Sequence, residues 1–309
     1  MGRRSRRGAE KPGAAGFVVV DKPAGWTSHD VVAKIRKIYR QRRVGHAGTL
    51  DPDATGLLLV GLGRATRLLR FLQDTGKGYR ATIVFGVSTT TLDASGEVVD
   101  RRPMPIDQAD IEAVVPAFLG EIEQLPPMVS AVKVGGRRLH ELARRGEEVE
   151  RAPRRVHVDR IDVEAFEPGP YPAATVLVEC SSGTYVRSLA ADIGGRLGGV
   201  AHLGELRRLH IGSFTLDEAR TLADIEADPD KTVLPPVAAM RDLEQVSIDA
   251  EQARAVAHGV TFPAAVFAGE NAGPGPFAVV GPDGELLAVY ERRRAAVKPA
   301  VVLAPVEAT

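Results

Sequence analysis

The segment Gly45–Gly56 constrains this chain more than any other. It reads GHAGTLDPDATG, carries no bulky apolar residue except Leu50, and is followed at once by the apolar run Leu57–Val60. Its glycines permit positive φ angles and a close backbone approach that a side chain would prevent. The pattern predicts a loop that holds one carboxylate, Asp51, in a fixed backbone frame directly before a buried element.

Charge is distributed unevenly along the chain, although the formal net charge is zero. Residues 1–80 contain about 17 Lys and Arg against about 6 Asp and Glu, so the rest of the chain is acidic to the same extent. A helix predicted from about residue 28 has an apolar side and a basic side, and the basic residues are Lys34, Arg36, Lys37, Arg40, Arg42 and Arg43. Such a face favours a phosphate-bearing partner.

Cysteine usage and hydropathy exclude several classes of protein. Cys180 is the single cysteine, so no intramolecular disulfide and no multi-cysteine metal site can form. No apolar run approaches the roughly 18 residues that a membrane span requires. Residues 1–15 carry four arginines without a hydrophobic core, which predicts a disordered basic tail and not a secretory signal. We therefore expect a cytoplasmic protein.

Strand and helix signals interleave from residue 16 to residue 242. Strands are predicted at 16–20, 57–61, 79–87, 156–166, 175–180 and 207–214, and helices near 28–39, 64–73, 107–118 and 183–198. Hairpin-like spacing argues against a purely parallel sheet. The prediction is an α+β fold with a mixed, largely antiparallel central sheet flanked by helices.

Two further regions differ from this pattern. Residues 124–155 combine Pro126-Pro127 and Gly135-Gly136 with many basic side chains, which predicts a protruding, mobile insertion. Residues 245–309 are mostly β in pattern, with strands predicted at 263–267, 277–280 and 286–290. Their length suits a small β-rich module.

Seven blocks of residues, in a fixed order, resemble the bacterial tRNA pseudouridine synthase B family. They are Asp21-Lys22-Pro23-x-Gly25, Gly45-His46-x-Gly48-Thr49-Leu50-Asp51-Pro52-x-Ala54-Thr55-Gly56, Lys77-Gly78-Tyr79, Asp93-Ala94-Ser95-Gly96, Pro127-x-x-Ser130-Ala131-x-Lys133, Gly183-Thr184-Tyr185-Val186-Arg187 and Leu206-Arg207-Arg208. The resemblance extends from Phe17 to about Phe214 and is weaker after residue 245.

The resemblance implies an enzyme that isomerises uridine 55 in the T-arm of tRNA to pseudouridine. It implies a pseudouridine synthase fold over residues 16–242, an RNA-binding thumb at about 124–155 and a PUA-like RNA-binding module at 245–309. The implied partner is tRNA, bound by a monomer without a membrane, a cofactor or a metal.

The resemblance also implies the catalytic residues. Asp51 matches the nucleophile, and Arg187 matches the arginine that pairs with it, since a bidentate guanidinium would both lower the carboxyl pKa and orient it. Tyr79 matches a tyrosine that stacks on the uracil and acts as general base. From its residues alone, Tyr79 fits a core position in a strand equally well.

Further positions are implied to bind the substrate. Asp93 would form hydrogen bonds in the active site, and His46 would help to displace the target base from its stack. Lys22 and the basic helix would contact RNA phosphate. The other matching positions are Thr49, Leu50, Tyr185, Lys133 and Arg207.

Two other functions remain as alternatives. The run Asp51–Thr55 also fits the D-x-D-x-T motif of Mg²⁺-dependent phosphatases that form an aspartyl phosphate, although the residues before it make a poor strand. A non-catalytic protein that binds or folds tRNA would use the same basic surfaces, but it would not require Asp51, Tyr79 and Arg187 to converge in one pocket. The sequence leaves open whether Asp51 attacks the sugar, attacks the uracil or promotes elimination.

Overall fold

The computed structural model describes residues 13–128, 149–268 and 273–303, together with the backbone of Lys133–Val134 and Arg137–Arg138. The strands are β1 (Gly16–Lys22), β2 (Val44–Ala47), β3 (Thr55–Leu62), β4 (Lys77–Phe85), β5 (Val87–Thr89), β6 (Val98–Arg101), β7 (Gly120–Gln124), β8 (Lys133–Val134), β9 (Arg137–Arg138), β10 (Arg154–Glu167), β11 (Ala173–Cys180), β12 (Ala201–Ile211), β13 (Phe214–Thr215), β14 (Glu244–Ser247), β15 (Phe262–Pro263), β16 (Phe277–Val280), β17 (Leu286–Arg293) and β18 (Ala296–Val302).

The α-helices are α1 (Ser28–Ile38), α2 (Leu69–Gln73), α3 (Gln108–Val114), α4 (Val186–Arg196), α5 (Leu222–Ala227), α6 (Pro236–Ala239), α7 (Ala250–Ala257) and α8 (Ala264–Ala268). Short 3₁₀ helices lie at Gly63–Leu68, Val115–Phe118, Leu216–Glu218 and Asp230–Thr232. In the part of the chain that the structure describes, every helix is too short or too polar to span a bilayer.

The larger sheet has nine strands among the described residues. Its order is β1-β3-β12-β4-β11-β10-β7, with β2 paired to β3 and β13 paired to β12. Its strand pairs are antiparallel except β3 with β12, which run parallel. The predicted α+β class with a mixed, largely antiparallel sheet is confirmed.

Strand β1 is buried on both faces because separate hydrophobic clusters cover each of them. Phe17 and Val19 belong to one cluster, whereas Val18 and Val20 belong to another that includes the apolar side of α1. Helix α1 begins at a capping box in which Thr27 and Asp30 satisfy each other's backbone N–H groups. The strand and the helix therefore hold their connecting segment at the edge of the buried sheet.

Helix α4 covers the middle of the sheet. Leu189, Ala190 and Ile193 pack into a buried cluster with side chains of β4, β11 and β12. Its N-cap is Tyr185, whose backbone N–H donates to Oε1 of Gln124, 2.9 Å away. This packing places the first turn of α4, with Arg187, next to the loop that carries Asp51.

The C-terminal strands form a second, five-stranded sheet in the order β14-β16-β17-β18-β15. An aromatic group of Phe262, Phe267 and Tyr290 fills its interior. This sheet also shares a buried cluster with the larger one, since Phe17, Leu57 and Leu59 pack in the same cluster as Ala278, Leu286, Val289, Val301 and Leu303.

Two arginines of the 3₁₀ helix Gly63–Leu68 reinforce that junction. Arg64 donates to the carbonyl oxygen of Leu303 and Arg67 to that of Val302, and each donor–acceptor distance is 2.7 Å. The predicted β-rich module is confirmed as a curled sheet, and it packs directly on the larger sheet.

Several sequence expectations require correction. The strand expected at 207–214 spans Ala201–Ile211, because a bulge between Leu203 and Glu205 interrupts its alternating pattern. The strand expected at 263–267 is the two-residue β15 followed by α8, since a short apolar run fits either state. The helix predicted over 107–118 was expected to end or bend at Pro116, and this is confirmed: α3 ends at Val114 and a 3₁₀ helix follows at Val115–Phe118.

Some expectations fall outside the described residues. The predicted basic tail is described only from residue 13 onward, and half of the predicted thumb at 124–155 is not described. For Lys133 only the backbone is described, as part of β8, so its proposed contact with substrate stays a prediction.

Candidate active site

The loop between β2 and β3 is held by backbone contacts on both sides of Asp51. The hydroxyl of Ser28 accepts from the N–H of Leu50 (2.9 Å) and donates to its carbonyl oxygen (3.1 Å). The carbonyl oxygen of Pro52 accepts from the N–H of Gly25 (3.0 Å) and from Nζ of Lys22 (2.8 Å). The β1–α1 connection therefore fixes the residues that flank the carboxylate.

Glycine is required at the end of this loop. Gly56 has φ +99°, and a Cβ atom there would lie 2.2 Å from the carbonyl oxygen of Arg208. Gly56 pairs with Arg208 where β3 and β12 run parallel. The absence of a side chain lets these strands approach, and their approach joins the Asp51 loop to β12.

Asp51 forms a bidentate ion pair with Arg187. Nε of Arg187 lies 3.1 Å from Oδ2 of Asp51, and Nη2 lies 3.2 Å from Oδ1. The arginine side chain is 5% exposed, whereas the Asp51 side chain is 41% exposed and lines the cavity described below. Burial raises the pKa of Asp51 above its ordinary value, while the Arg187 charge opposes that increase.

A second carboxylate shares the same guanidinium. Nη1 of Arg187 lies 3.2 Å from Oδ2 of Asp93 and 3.1 Å from the carbonyl oxygen of Thr91. Oδ1 of Asp93 accepts from the hydroxyls of Thr91 (2.6 Å) and Ser95 (2.5 Å). Asp93 is thus both a turn residue and a neighbour that orients Arg187.

A cavity of about 270 Å³ opens beside this ion pair. Asp51, Tyr79 and Arg187 all line it, as do Thr49, Leu50 and Tyr185 from the predicted set. Leu206, which the sequence reasoning did not select, lines it as well. The three residues that were expected to converge therefore border one space.

Tyr79 lies at an inward-facing position of β4 and is 7% exposed. Burial raises the pKa of its phenol, and the nearby positive charge of Arg208 opposes that increase. Tyr79 is thus both a buried strand residue and part of the cavity wall, so its two sequence interpretations are compatible.

Two buried cations, Lys77 and Arg208, were missed as site residues although both lie in the matching blocks. Lys77 donates to the carbonyl oxygens of Gln73 (2.9 Å) and Thr75 (2.8 Å). Arg208 donates to those of Leu57 (2.7 Å) and Gly48 (3.1 Å). Both side chains line the cavity. Both strands also carry other polar residues, so the local pattern did not mark these two cations as buried.

Arg207 lies on the other side of β12 from Arg208, as strand alternation requires. It forms a bidentate pair with Asp21, with Nη2 2.7 Å from Oδ2. It lines a second cavity of about 670 Å³, which also borders Asp51 and Arg187. The ion pair between Asp51 and Arg187 therefore separates two adjoining spaces.

His46 lies on β2, outside the residues that line either cavity. Its ring meets that of His29 edge-on at 5.6 Å. Its Nδ1 atom is buried, and no described residue offers it a hydrogen bond. Burial, with the nearby His29 and Arg208, lowers the pKa of His46 to about 4, so the imidazole is neutral at physiological pH.

The placement of Lys22 contradicts the expected contact with RNA phosphate. Its side chain is fully buried, and Nζ donates to the carbonyl oxygens of Pro23 (2.9 Å), Trp26 (2.6 Å) and Pro52 (2.8 Å). Burial lowers its pKa to about 8. All three ammonium protons are donated to carbonyl oxygens, two in the β1–α1 connection and one in the β2–β3 loop. Lys22 therefore positions the backbone beside Asp51.

The site offers little for a metal or for aspartyl-phosphate chemistry. Within the described ranges no group of three or more His, Cys, Asp and Glu is placed to hold a metal ion. Residues 48–50 separate Asp51 from the end of β2, unlike the strand-end position that the D-x-D-x-T motif takes in phosphatases.

Three family models match consecutive parts of the chain. "TruB family pseudouridylate synthase (N terminal domain)" matches residues 36–186, "tRNA pseudouridylate synthase B C-terminal domain" matches 187–244, and "tRNA Pseudouridine synthase II, C terminal" matches 243–304. A tRNA pseudouridine synthase B from Thermobifida fusca (strain YX) is 47% identical over 94% of this chain and 99% of its own length. The chain belongs to the TruB family of pseudouridylate synthases.

Other relatives and solved structures agree with this family. A tRNA pseudouridine synthase B from Mycobacterium sp. (strain KMS) is 45% identical over 94% of this chain and 96% of its own length. A chain in an H/ACA RNP bound to a substrate RNA containing 2'-deoxyuridine matches with a TM-score of 0.73 and 28% identity, over 94% of this chain and 86% of that one. A chain of a Cbf5-Nop10-Gar1 complex gives 0.72 and 30%, with the same coverage. The pseudouridine synthase fold with a PUA-like C-terminal sheet is thereby confirmed.

Proposed function

We propose that this TruB-family chain converts uridine 55 in the T-arm of tRNA to pseudouridine, with Asp51 as the nucleophile. Its relatives at 45–47% identity are named tRNA pseudouridine synthase B. The observation that carries the role of Asp51 is its bidentate pair with the buried Arg187 at the edge of a cavity that Tyr79 also lines.

The chemistry accounts for what the site contains. Pseudouridine formation breaks the bond between ribose C1′ and uracil N1, and it forms a bond between C1′ and uracil C5. The ring loses the proton at C5 and gains one at N1, so atoms and electrons balance without an oxidant, a reductant or a second substrate. A carboxylate that starts the reaction and a group that moves a proton are sufficient, so the proposal includes no cofactor and no metal.

Asp51 meets the requirements for the first of these roles. Arg187 favours its ionised form and fixes both oxygens, while its exposed edge remains available to a ligand. Tyr79 is the candidate for stacking on the ring and for accepting the proton from C5. The cavity of about 270 Å³ lies at the lower limit of small-ligand pockets and suits one pyrimidine ring. The target base would have to leave its stack to reach it.

The remaining assignments belong to the same proposal. Residues 16–242 would form the catalytic unit, and residues 245–309 would form the RNA-binding module. The exposed basic side of α1 would contact phosphate. The enzyme would act as a monomer in the cytoplasm.

One experiment tests the proposal directly. Unmodified tRNA and a tRNA with cytidine at position 55 are incubated with the enzyme, and pseudouridine is mapped at single-nucleotide resolution. We expect pseudouridine at position 55 of the first tRNA only. Asp51→Asn should form none while its tRNA affinity stays within about threefold, because the neutral amide keeps the shape of the carboxylate.

Asp217→Asn is the matched control, since Asp217 is exposed and far along the chain in a 3₁₀ helix. It should behave as the wild type. Pseudouridine formed at the normal rate by Asp51→Asn would refute the role of Asp51. Binding of tRNA by the wild type without any pseudouridine would instead favour a non-catalytic RNA-binding protein.

A further inference from the structure

The inner wall of the active-site cavity carries two buried cations that have no carboxylate partner among the described residues. Lys77 is 6% exposed and Arg208 is 1% exposed. Their described hydrogen bonds go to backbone carbonyl oxygens. Arg187, which also lines the cavity, has two carboxylates within ion-pair distance.

The two cations also lie close to each other. A Cβ atom built on Gly48 would be 3.5 Å from Nη1 of Arg208 and 3.5 Å from Cε of Lys77. Burial and the neighbouring Arg208 charge lower the pKa of Lys77 to about 8. Two adjacent buried charges of the same sign are costly to a fold unless negative charge compensates them. Among the described residues no carboxylate lies within ion-pair distance of either cation, and Asp74 acts on Lys77 only as a weaker, more distant charge. The cavity that both cations line is therefore the place where a compensating negative charge would arise.

The proposed reaction produces negative charge in that cavity. When the C1′–N1 bond breaks, its electron pair stays with the uracil, which becomes an anion delocalised over its ring nitrogen and carbonyl groups. When Asp51 instead adds to the ring, the electron pair moves onto the carbonyl oxygen as an enolate. On the first route Asp51 holds C1′ as an ester until C5 displaces the carboxylate. On the second route C5 bonds to C1′ as the C1′–N1 bond breaks, and the Asp51–ring bond breaks when the C5 proton leaves. On both routes N1 gains a proton, Asp51 is again a carboxylate, and the ring is neutral.

We propose that Lys77 and Arg208 are catalytic residues that stabilise the negative charge on the uracil ring between bond cleavage and bond formation. This inference rests on the proposed function. Uridine and pseudouridine are neutral, so the two cations act more strongly on the anionic ring than on substrate or product. That difference is what accelerates a reaction. Their carbonyl contacts hold them in place before the charge develops.

A change of leaving group separates this role from a merely structural one. Transcripts of the same tRNA carry either uridine or 5-fluorouridine at position 55. Fluorine withdraws electrons, so the 5-fluorouracil ring carries negative charge more readily and needs less help from the protein. The probe reaction is the loss of intact uridine or 5-fluorouridine from digested RNA in a single turnover.

Lys77→Met removes the charge and keeps the length of the side chain. We expect it to slow the uridine reaction about 100-fold and the 5-fluorouridine reaction only about tenfold, on the scale of other electrostatic groups in active sites. The Kd for tRNA should stay within about twofold, because Lys77 is buried. Lys77→Arg should recover most of the rate on uridine.

Equal losses on both substrates would overturn the inference and assign Lys77 to positioning Gln73 and Thr75. Thermal melting checks that Lys77→Met is folded. If it is not, Arg208→Lys, which keeps the charge but loses part of the hydrogen bonding, is compared with Arg208→Met in the same two assays. Equal losses for those two variants on both substrates would likewise overturn it.

Controls separate this inference from the proposed function. Lys231→Met removes an exposed lysine and should match the wild type on both substrates. If the wild type forms no pseudouridine, the proposed function fails. If the wild type is active and the leaving group makes no difference to the variants, only the inference about Lys77 and Arg208 fails.

Discussion

Arg187 contacts both carboxylate oxygens of Asp51, although the two residues are separated by 136 positions in the sequence. The pair joins the β2–β3 loop to the first turn of α4. It can form only when β12 has brought these elements together, so the arrangement of Asp51 is a property of the whole sheet and not of its loop.

The geometry of this pair is the basis of the first prediction. Arg187→Lys keeps the positive charge but cannot contact both oxygens of Asp51 and one of Asp93 together. We expect kcat for pseudouridine formation to fall by about 100-fold, with a small change in tRNA affinity. Arg196→Lys, an exposed position in the last turn of the same helix, should leave kcat unchanged. A kcat for Arg187→Lys within about twofold of the wild type would contradict the prediction.

His46 predicts a pH dependence of stability. Its pKa is about 4 in the folded protein and 6.5 when unperturbed, so between these values the unfolded chain binds a proton that the folded one does not. Stability from this group is therefore complete above pH 6.5 and decreases as the pH falls towards 4.

Urea denaturation at pH 7 and pH 5 measures the effect. His46→Gln, which does not titrate, should lose less stability over that interval than the wild type does, by about 1 kcal/mol because His46 is partly exposed. An identical pH dependence in both proteins would show that His46 carries no such shift.

Gly56 predicts a steric effect on the parallel junction of the larger sheet. Gly56→Ala would place a methyl group 2.2 Å from the carbonyl oxygen of Arg208 at a φ of +99°. We expect the free energy of unfolding to fall by about 3 kcal/mol or more.

Gly25→Ala is the matched substitution, because Gly25 also has a positive φ but no atom lies within 4 Å of the place that its methyl group would take. It should cost only about 1 kcal/mol. Equal costs in denaturant titrations would show that conformation, and not the contact with Arg208, decides the effect at Gly56.

Lys22 and Lys37 predict opposite outcomes. Lys22→Met removes the lysine donor from the carbonyl oxygens of Pro23 and Trp26 and one of the two donors from that of Pro52, and it should lower the free energy of unfolding by about 2 kcal/mol. The salt dependence of tRNA binding should not change. Lys37→Met, on the exposed side of α1, should leave stability unchanged and reduce the slope of log Kd against log salt by about 1. A reduced slope for Lys22→Met would restore its expected phosphate contact.

The sequence predicted correctly those elements that depend on residues close to one another in the chain. The capping residues of α1 and the alternating pattern of β11 are visible in a short window, and the structure has both. The same is true of the Asp51 loop, because its glycines and carboxylate are contiguous. By contrast, α8 could not be distinguished from a strand, since its run of five small and apolar residues has no period long enough to decide.

Burial of cations was the part of the site that the sequence concealed. From the sequence alone, Lys22 and Lys77 resemble ordinary exposed lysines. The carbonyl oxygens that accept their hydrogen bonds lie far along the chain, as for Pro52, or outside the strand, as for Gln73. Arg207 and Arg208 are adjacent, yet only the register of β12 shows that one pairs with Asp21 and the other lies beneath the cavity.

Because the two sheets share a buried cluster, the C-terminal unit cannot be removed without disturbing the larger sheet. A chain that ended near residue 242 would lose Ala278, Leu286, Val289, Val301 and Leu303 from this cluster, and Arg64 and Arg67 would lose their carbonyl acceptors. The C-terminal sheet therefore completes part of the hydrophobic core of the enzyme. Truncation would reduce solubility and folding yield before it revealed anything about RNA affinity.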